Sequence, residues 1–302
     1  MTMDAPTRVP AVPPSRARGV ARWLHTRPAT GLRLLLAAPL LWLVLIYLGS
    51  LAILLLNAFW TSDPFTGKVN SFDWSLDAFV QILSNDVYRT IAIRTIGMAA
   101  LVTVTDALLA FPIAYYMARV ASPRVRGLLV VAVLMPLWAS YLVKIFAWRT
   151  ILQGNGVLSW VLSPFGIAGP GTDEIANSWL VFSYLWLPYM ILPIYAGLER
   201  VPNSLLEASA DLGGKARTTF RRVILPLVLP SVVAGSIFTF SLTLGDYIVP
   251  DLVSDAKFIG NVIYDNSSLG DFPVAAAYSI LPIVIVIGYL VLARRLGAFE
   301  SL

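Results

Sequence analysis

Apolar residues run together in this chain in long blocks separated by short polar stretches. The first block, Leu34 to Phe59, is interrupted only by Pro39, Gly49, Ser50 and Asn57. It exceeds the apolar core of a cleavable signal, so it is expected to stay in the membrane. Five further blocks, roughly 91 to 117, 128 to 147, 176 to 197, 224 to 249 and 274 to 293, are long enough to cross hydrocarbon about 30 Å thick. The pattern predicts an all-α polytopic membrane protein with six transmembrane helices, both chain ends on one side.

Charge gives those spans an orientation. Arg8, Arg16, Arg18, Arg22, Arg27 and Arg33 precede the first block. Arg119, Arg124 and Arg126, then Arg200, Lys215, Arg217, Arg221 and Arg222, then Arg294 and Arg295 fall in the loops on that same side. Cytoplasmic loops collect Lys and Arg, so both termini are expected in the cytoplasm. Trp60, Trp74, Tyr88, Trp148, Trp160 and Trp179 fall near the opposite boundary, where rings are expected at headgroup depth. The acidic residues of those outer loops follow from the exclusion of Lys and Arg and carry no substrate information.

The predicted organisation is a disordered basic cytoplasmic tail at 1–30, a first transmembrane helix at 31–60, a periplasmic loop at 61–90 and a five-helix core at 91–297. Composition narrows the chemistry. With 58% hydrophobic and 13% charged residues and a mean hydropathy of +0.76, the chain cannot be mostly water-exposed globule surface. There is no cysteine and one histidine, His25, which leaves no ligand set for a metal or iron–sulfur centre and no disulfide. No cofactor is expected in this chain. The net charge of +5 is topological, and no nucleic-acid partner is implied.

The fourth inner loop, 199–226, is the most specific segment. Ser204 and Glu207 have the spacing of a capping box, and Leu205, Leu206, Ala208 and Leu212 follow along one side. Gly213-Gly214 can take the positive φ that ends a helix. Two helical turns are marginal alone in water, so this helix needs a docking surface. Gly213-Gly214-Lys215 is no phosphate loop, because Ser209 and Ala216 stand where that motif needs Gly and Ser or Thr.

Glu207-Ala208, Gly213 and Leu225-Pro226 resemble the EAA loop of the permease subunits of bacterial ABC importers, with Ser209 for the usual second Ala and Val223 for the commoner Ile. Met135 to Lys144, Phe146 to Trp148, Leu187 to Pro193, Ala210-Asp211-Leu212-Gly213 and Gly245 to Pro250 look like the spermidine/putrescine type. The resemblance covers roughly 35 to 297. It implies a MetI-like type I ABC importer in a bacterial inner membrane. The implied partners are a second, non-identical permease subunit, two cytoplasmic ATPases and a periplasmic solute-binding protein. It also implies a coupling role for Glu207, Ala208, Asp211, Gly213, Leu225 and Pro226, with ATP hydrolysed on another polypeptide and no catalytic residue here.

Within the spans, Asp106 is either a pathway residue or a structural carboxyl bonded to a helix neighbour such as Thr103 or Thr105, or across the bundle. Asp246 and Tyr247 face an outer vestibule or headgroups, and Trp138, Tyr141, Trp186 and Tyr189 supply rings. Carboxylates and ring faces suit an ammonium ligand, putrescine or spermidine by the resemblance. Each ring also has the plain reading of packing. Lys144, Arg149 and Arg94 oppose a cation unless Asp246 and loop carboxylates neutralise them. The alternatives are an opine or amino acid as solute, an ion-coupled secondary transporter using Asp106, and a membrane enzyme. The last is disfavoured by the lack of His, Cys or paired carboxylates in the spans.

Overall fold

The computed structural model describes residues 35–37, 39–63, 69–70, 73–165 and 174–295. The 1–30 tail expected from sequence lies outside them. Residues up to Leu56 and residues from Asn57 onward form two separate units. The first holds all but the last residue of helix α1, Leu35–Asn57, which widens to π spacing over Leu43–Leu48.

The second unit opens with a small antiparallel hairpin, β1 (Thr61–Ser62) and β2 (Val69–Asn70), in which Thr61 pairs with Asn70. Helix α2 is Asp77–Ser84. Asn85 then turns the chain, and its Oδ1 accepts the Val87 N–H at 2.9 Å, so α3 begins at Asp86 rather than near 91. α3 continues to Val120, 35 residues or about 52 Å, and so projects beyond a hydrocarbon layer of about 30 Å. There follow α4 (Pro123–Trp138), α5 (Tyr141–Leu152), α6 (Val157–Leu162) and α7 (Glu174–Arg200). The rest of the chain forms α8 (Asn203–Asp211), α9 (Ala216–Gly245), α10 (Ile248–Val253), α11 (Ile259–Ser268) and α12 (Phe272–Arg295).

Five helices among the described residues, α1, α3, α7, α9 and α12, are long and apolar enough to cross a membrane. The sixth expected span, 128–147, is not one straight helix. α4 and α5 meet at 94°, because Ala139 (ψ 143°) and Ser140 (ψ 135°) are both extended and cannot carry the helical ladder across. Pro112, Pro188, Pro193, Pro230 and Pro282 sit inside the long helices. Neighbouring helices make such prolines tolerable in apolar surroundings. α9 carries a π turn at Phe220–Ile224 just before Pro226, whose ring nitrogen has no proton to donate.

α3, α7 and α9 form the centre of this unit. At the end where α10 lies, Met98, Val102, Phe182, Leu185, Val249 and Phe258 make one apolar cluster. At the end where α8 lies, Ala114, Met117, Ile194, Leu198, Ile224 and Val228 make another. α12 joins through Tyr278, packed with Ile91, Phe240 and Ile259. Close approach depends on small residues, as in membrane bundles generally: a methyl added to Gly235 of α9 would lie 3.3 Å from the Met190 Cα of α7.

Candidate functional site

α8 follows α7 after two residues, Val201 and Pro202. Its amino end carries no side-chain cap, so the capping box expected from Ser204 and Glu207 does not form. The helix starts one residue earlier, at Asn203, and Ser204 lies in its first turn rather than at its N-cap. The carboxyl end is as the glycines predict. Gly213 takes φ +74°, its N–H bonds the Ala210 carbonyl at 2.8 Å, and the Gly214 N–H bonds the Ser209 carbonyl at 2.8 Å. That pair of bonds is a Schellman motif, which satisfies two carbonyls a helix end would otherwise leave open.

The two faces of α8 differ. Leu206 and Ser209 turn inward, Leu206 against the apolar cluster and the Ser209 hydroxyl to Thr219 Oγ1 at 2.8 Å. Ser209 is thus a tie between α8 and the first turn of α9. Glu207, Ala208, Asp211 and Gly213 are exposed, as are Leu225 and Pro226 at the start of the apolar part of α9. Leu205, Ala208 and Leu212 are exposed, Leu212 at 90%, whereas Leu206 turns inward, so these four do not form the single side expected of them.

What holds α8 in place is not legible in the sequence. Arg119, in the last turn of α3, donates from Nη1 to Asn203 Oδ1 at 2.8 Å and from Nη2 to the Leu198 and Val201 carbonyls at 2.5 and 2.6 Å. Arg126, in the first turn of α4, donates to the Met117 and Ala118 carbonyls at 3.0 and 3.2 Å and pairs with Glu199 at 3.4 Å. Tyr195 donates to the same Glu199. Basic residues that the topology rule accounts for by location alone also cap helix ends.

At the α10 end, Asp246 is a capping carboxylate. Its Oδ1 accepts the Ile248 and Val249 N–H groups, each at 2.9 Å, and its Oδ2 accepts the Tyr141 hydroxyl. It is bonded in this way rather than to Lys144 or Arg149, so of the two alternatives for those cations, neutralisation by Asp246 is not made. Arg94 donates to the Lys257 carbonyl at 3.4 Å, and Lys257 pairs with Asp265 at 3.0 Å and Asp251 at 3.7 Å. The hydrogen bond that the Lys257 ammonium donates to Asp265 holds it above the ordinary lysine value.

From Asp246 a row of rings leads toward the middle of the bundle: Tyr141 on Trp186 with centroids 6.1 Å apart, Trp186 on Tyr189 at 6.0 Å, and Tyr189 on Phe238 at 6.4 Å. Tyr247 stacks on Tyr264 at 4.6 Å. The structure therefore unites Tyr141, Trp186, Tyr189, Asp246 and Tyr247, and adds Phe238 and Tyr264. Trp138 is excluded: it ends α4 before the bend and is 91% exposed. Of the expected boundary rings, Trp74 and Trp160 are exposed, whereas Trp148 packs on Tyr184 and Trp179 donates to Thr105.

Asp106 makes none of the bonds that build this row. It is fully buried, with Ser183 of α7 beside it and no hydrogen-bond partner for either carboxyl oxygen. Thr103 and Thr105, its expected partners, are engaged elsewhere: Thr103 donates to the Ala99 carbonyl at 2.6 Å and Thr105 accepts from Trp179.

Long apolar helices, a broken span and an exposed short helix between two spans define a polytopic α-helical membrane protein. Comparison with known proteins narrows the class. The family model of the binding-protein-dependent transport system inner membrane component matches residues 110–299, and the chain belongs to that family. It is 46% identical over 299 residues, 94% of this chain and 95% of the relative, to the inner membrane ABC transporter permease protein YdcU of Escherichia coli (strain K12). It is 30% identical over 246 residues, 79% and 84% of the two chains, to the spermidine/putrescine transport system permease protein PotB of Haemophilus influenzae. A bacterial alginate ABC transporter, solved with an alginate pentasaccharide-bound periplasmic protein, shares the fold with a TM-score of 0.71 at 17% identity, over 91% of this chain and 96% of that one. The chain is a multi-pass inner-membrane permease subunit of an ABC importer.

Proposed function

We propose that this subunit passes a polyamine-class cation across the inner membrane, driven by ATP hydrolysed on separate cytoplasmic subunits that dock on α8. The observation that carries the coupling role is the geometry of α8: the Schellman turn at Gly213 fixes its end, while Glu207, Ala208 and Asp211 face outward. In this reading the α8 end is cytoplasmic, together with both termini. Arg119, Arg126, Arg221, Arg222, Arg294 and Arg295 lie at helix ends consistent with that orientation. A second, non-identical permease completes the pathway, two ATPases bind below, and a periplasmic binding protein delivers the solute.

The cation is inferred from the row Tyr141, Trp186, Tyr189 and Phe238 with Asp246 at its head, since ring faces attract ammonium groups. Phe238 is 54% exposed, which leaves the far end of the row open at the surface of this unit. Similarity to PotB supports the same solute class. Asp106 is assigned a structural place, because it is fully buried on α3 beside Ser183 of α7.

Uptake of labelled putrescine by cells with and without this chain tests the proposal, with unlabelled spermidine and amino acids as competitors. Deletion is expected to abolish uptake that spermidine, and not amino acids, competes away. Competition by amino acids would assign an opine or amino acid instead. Uptake that survives loss of the ATPase subunits would favour an ion-coupled carrier and remove the role given to α8.

A further inference from the structure

Between α7 and α8 lie only Val201 and Pro202. Pro202 fixes its own φ, here −65°, and disfavours helical backbone at Val201, whose side chain is buried and whose N–H bonds the Leu198 carbonyl at 3.3 Å. The ψ angles of Val201 and Pro202 remain the soft rotations of this link, and force applied to α8 would be lost in turning them.

One side chain spans that link from outside it. The Arg119 guanidinium reaches the Leu198 carbonyl at the end of α7, the Val201 carbonyl within the link, and the Asn203 side chain at the start of α8. A guanidinium offers donors in a rigid planar fork, so one group can hold several acceptors in fixed relation. Arg119 itself belongs to the last turn of α3, so the bracket joins three helices. On its other side α8 is tied to α9 through Ser209 and Thr219.

We propose that Arg119 is a positioning residue that makes α3, α7 and α8 turn as one body, by bracing the Val201–Pro202 link through its bonds to Leu198, Val201 and Asn203. The inference rests on the reading that α8 is the ATPase-coupling helix. Without the brace, closure of the ATPases would rock α8 about the link instead of rotating the spans.

The lack of cysteine makes the test clean. Spin labels on Ala196→Cys and Ser204→Cys, both exposed positions flanking the link, report its geometry in the full complex with and without ATP. With Arg119 in place the distance is expected to stay narrow and unchanged by nucleotide. In Arg119→Ala it is expected to broaden and to shift on ATP binding. Solute carried per ATP hydrolysed, with putrescine as probe, is expected to fall roughly fivefold or more. Asn203→Ala, an exposed change that removes one bond of three, is expected to give a smaller change in both readouts. Arg119→Lys, a point donor instead of a fork, is expected to restore them only in part.

A label distance in Arg119→Ala as narrow and as constant as in the unchanged chain would overturn the proposal. So would a loss of transport that only tracks the amount of assembled complex, since that is a structural effect. Glu207→Ala, measured in parallel, separates the two levels of inference. If it leaves transport per ATP unchanged, the coupling role of α8 falls; if it uncouples while Arg119→Ala does not, only the brace falls.

Discussion

Gly213 is constrained by its backbone and by nothing around it. A β-carbon there would meet open space, yet φ is +74°, a conformation that costs an L-residue about 1 kcal/mol. Gly213→Asp adds a negative charge at the carboxyl end of α8, where the helix dipole is also negative. It is expected to abolish uptake while leaving the chain inserted, measured as transport alongside membrane content. Normal uptake by this variant would remove the coupling argument. Asp106 shows the opposite kind of constraint: it is fixed by surroundings that a single residue letter does not reveal. Its place in a hydrophobic stretch marks it as unusual, but only the packed helices show that Thr103 and Thr105 bond elsewhere and that Ser183 faces it.

Elements meet where backbone approaches backbone, and Gly260 is the tightest such place at the α10 end. A methyl at its Cβ would lie 2.8 Å from the Asp246 carbonyl oxygen and 3.0 Å from that of Gly245, so α11 can begin there only without a side chain. The same joint is held by Asn261, which accepts the Phe258 N–H at 3.2 Å and donates to the Tyr247 carbonyl at 2.9 Å. Gly260→Ala is expected to lower stability by about 1–3 kcal/mol, read by thermal unfolding in detergent, with Gly97→Ala, where the added methyl meets nothing, as the control. The legible parts of these elements were their apolar lengths. The 94° bend was not legible, because α4 and α5 together have the composition of one span and the extended pair Ala139–Ser140 carries no forbidding residue. That bend decides which ring joins the row: Tyr141, the first residue of α5, bonds Asp246, while Trp138 is left outside.

For the whole molecule the decisive expectation is sidedness. If the α8 end is cytoplasmic, a thiol reagent that does not cross the membrane should label Leu269→Cys from the periplasm and Ser204→Cys only after the membrane is opened. Leu269 is 82% exposed beyond α11 and Ser204 is exposed on α8. Labelling of Ser204→Cys in intact cells would reverse the orientation. The membrane class and the approximate spans were determined by sequence alone, because a lipid interior demands long runs of apolar residues that satisfy their own backbone. So was the end of α8, because its helix-terminating bonds are local and require only a glycine at the right place. The partners of Arg119, 79 to 84 residues away, the bonds of Asp246 and the row of rings were decided by tertiary structure. Each depends on the directions in which separate helices present their side chains, and those directions are set by packing, which no local run of residues encodes.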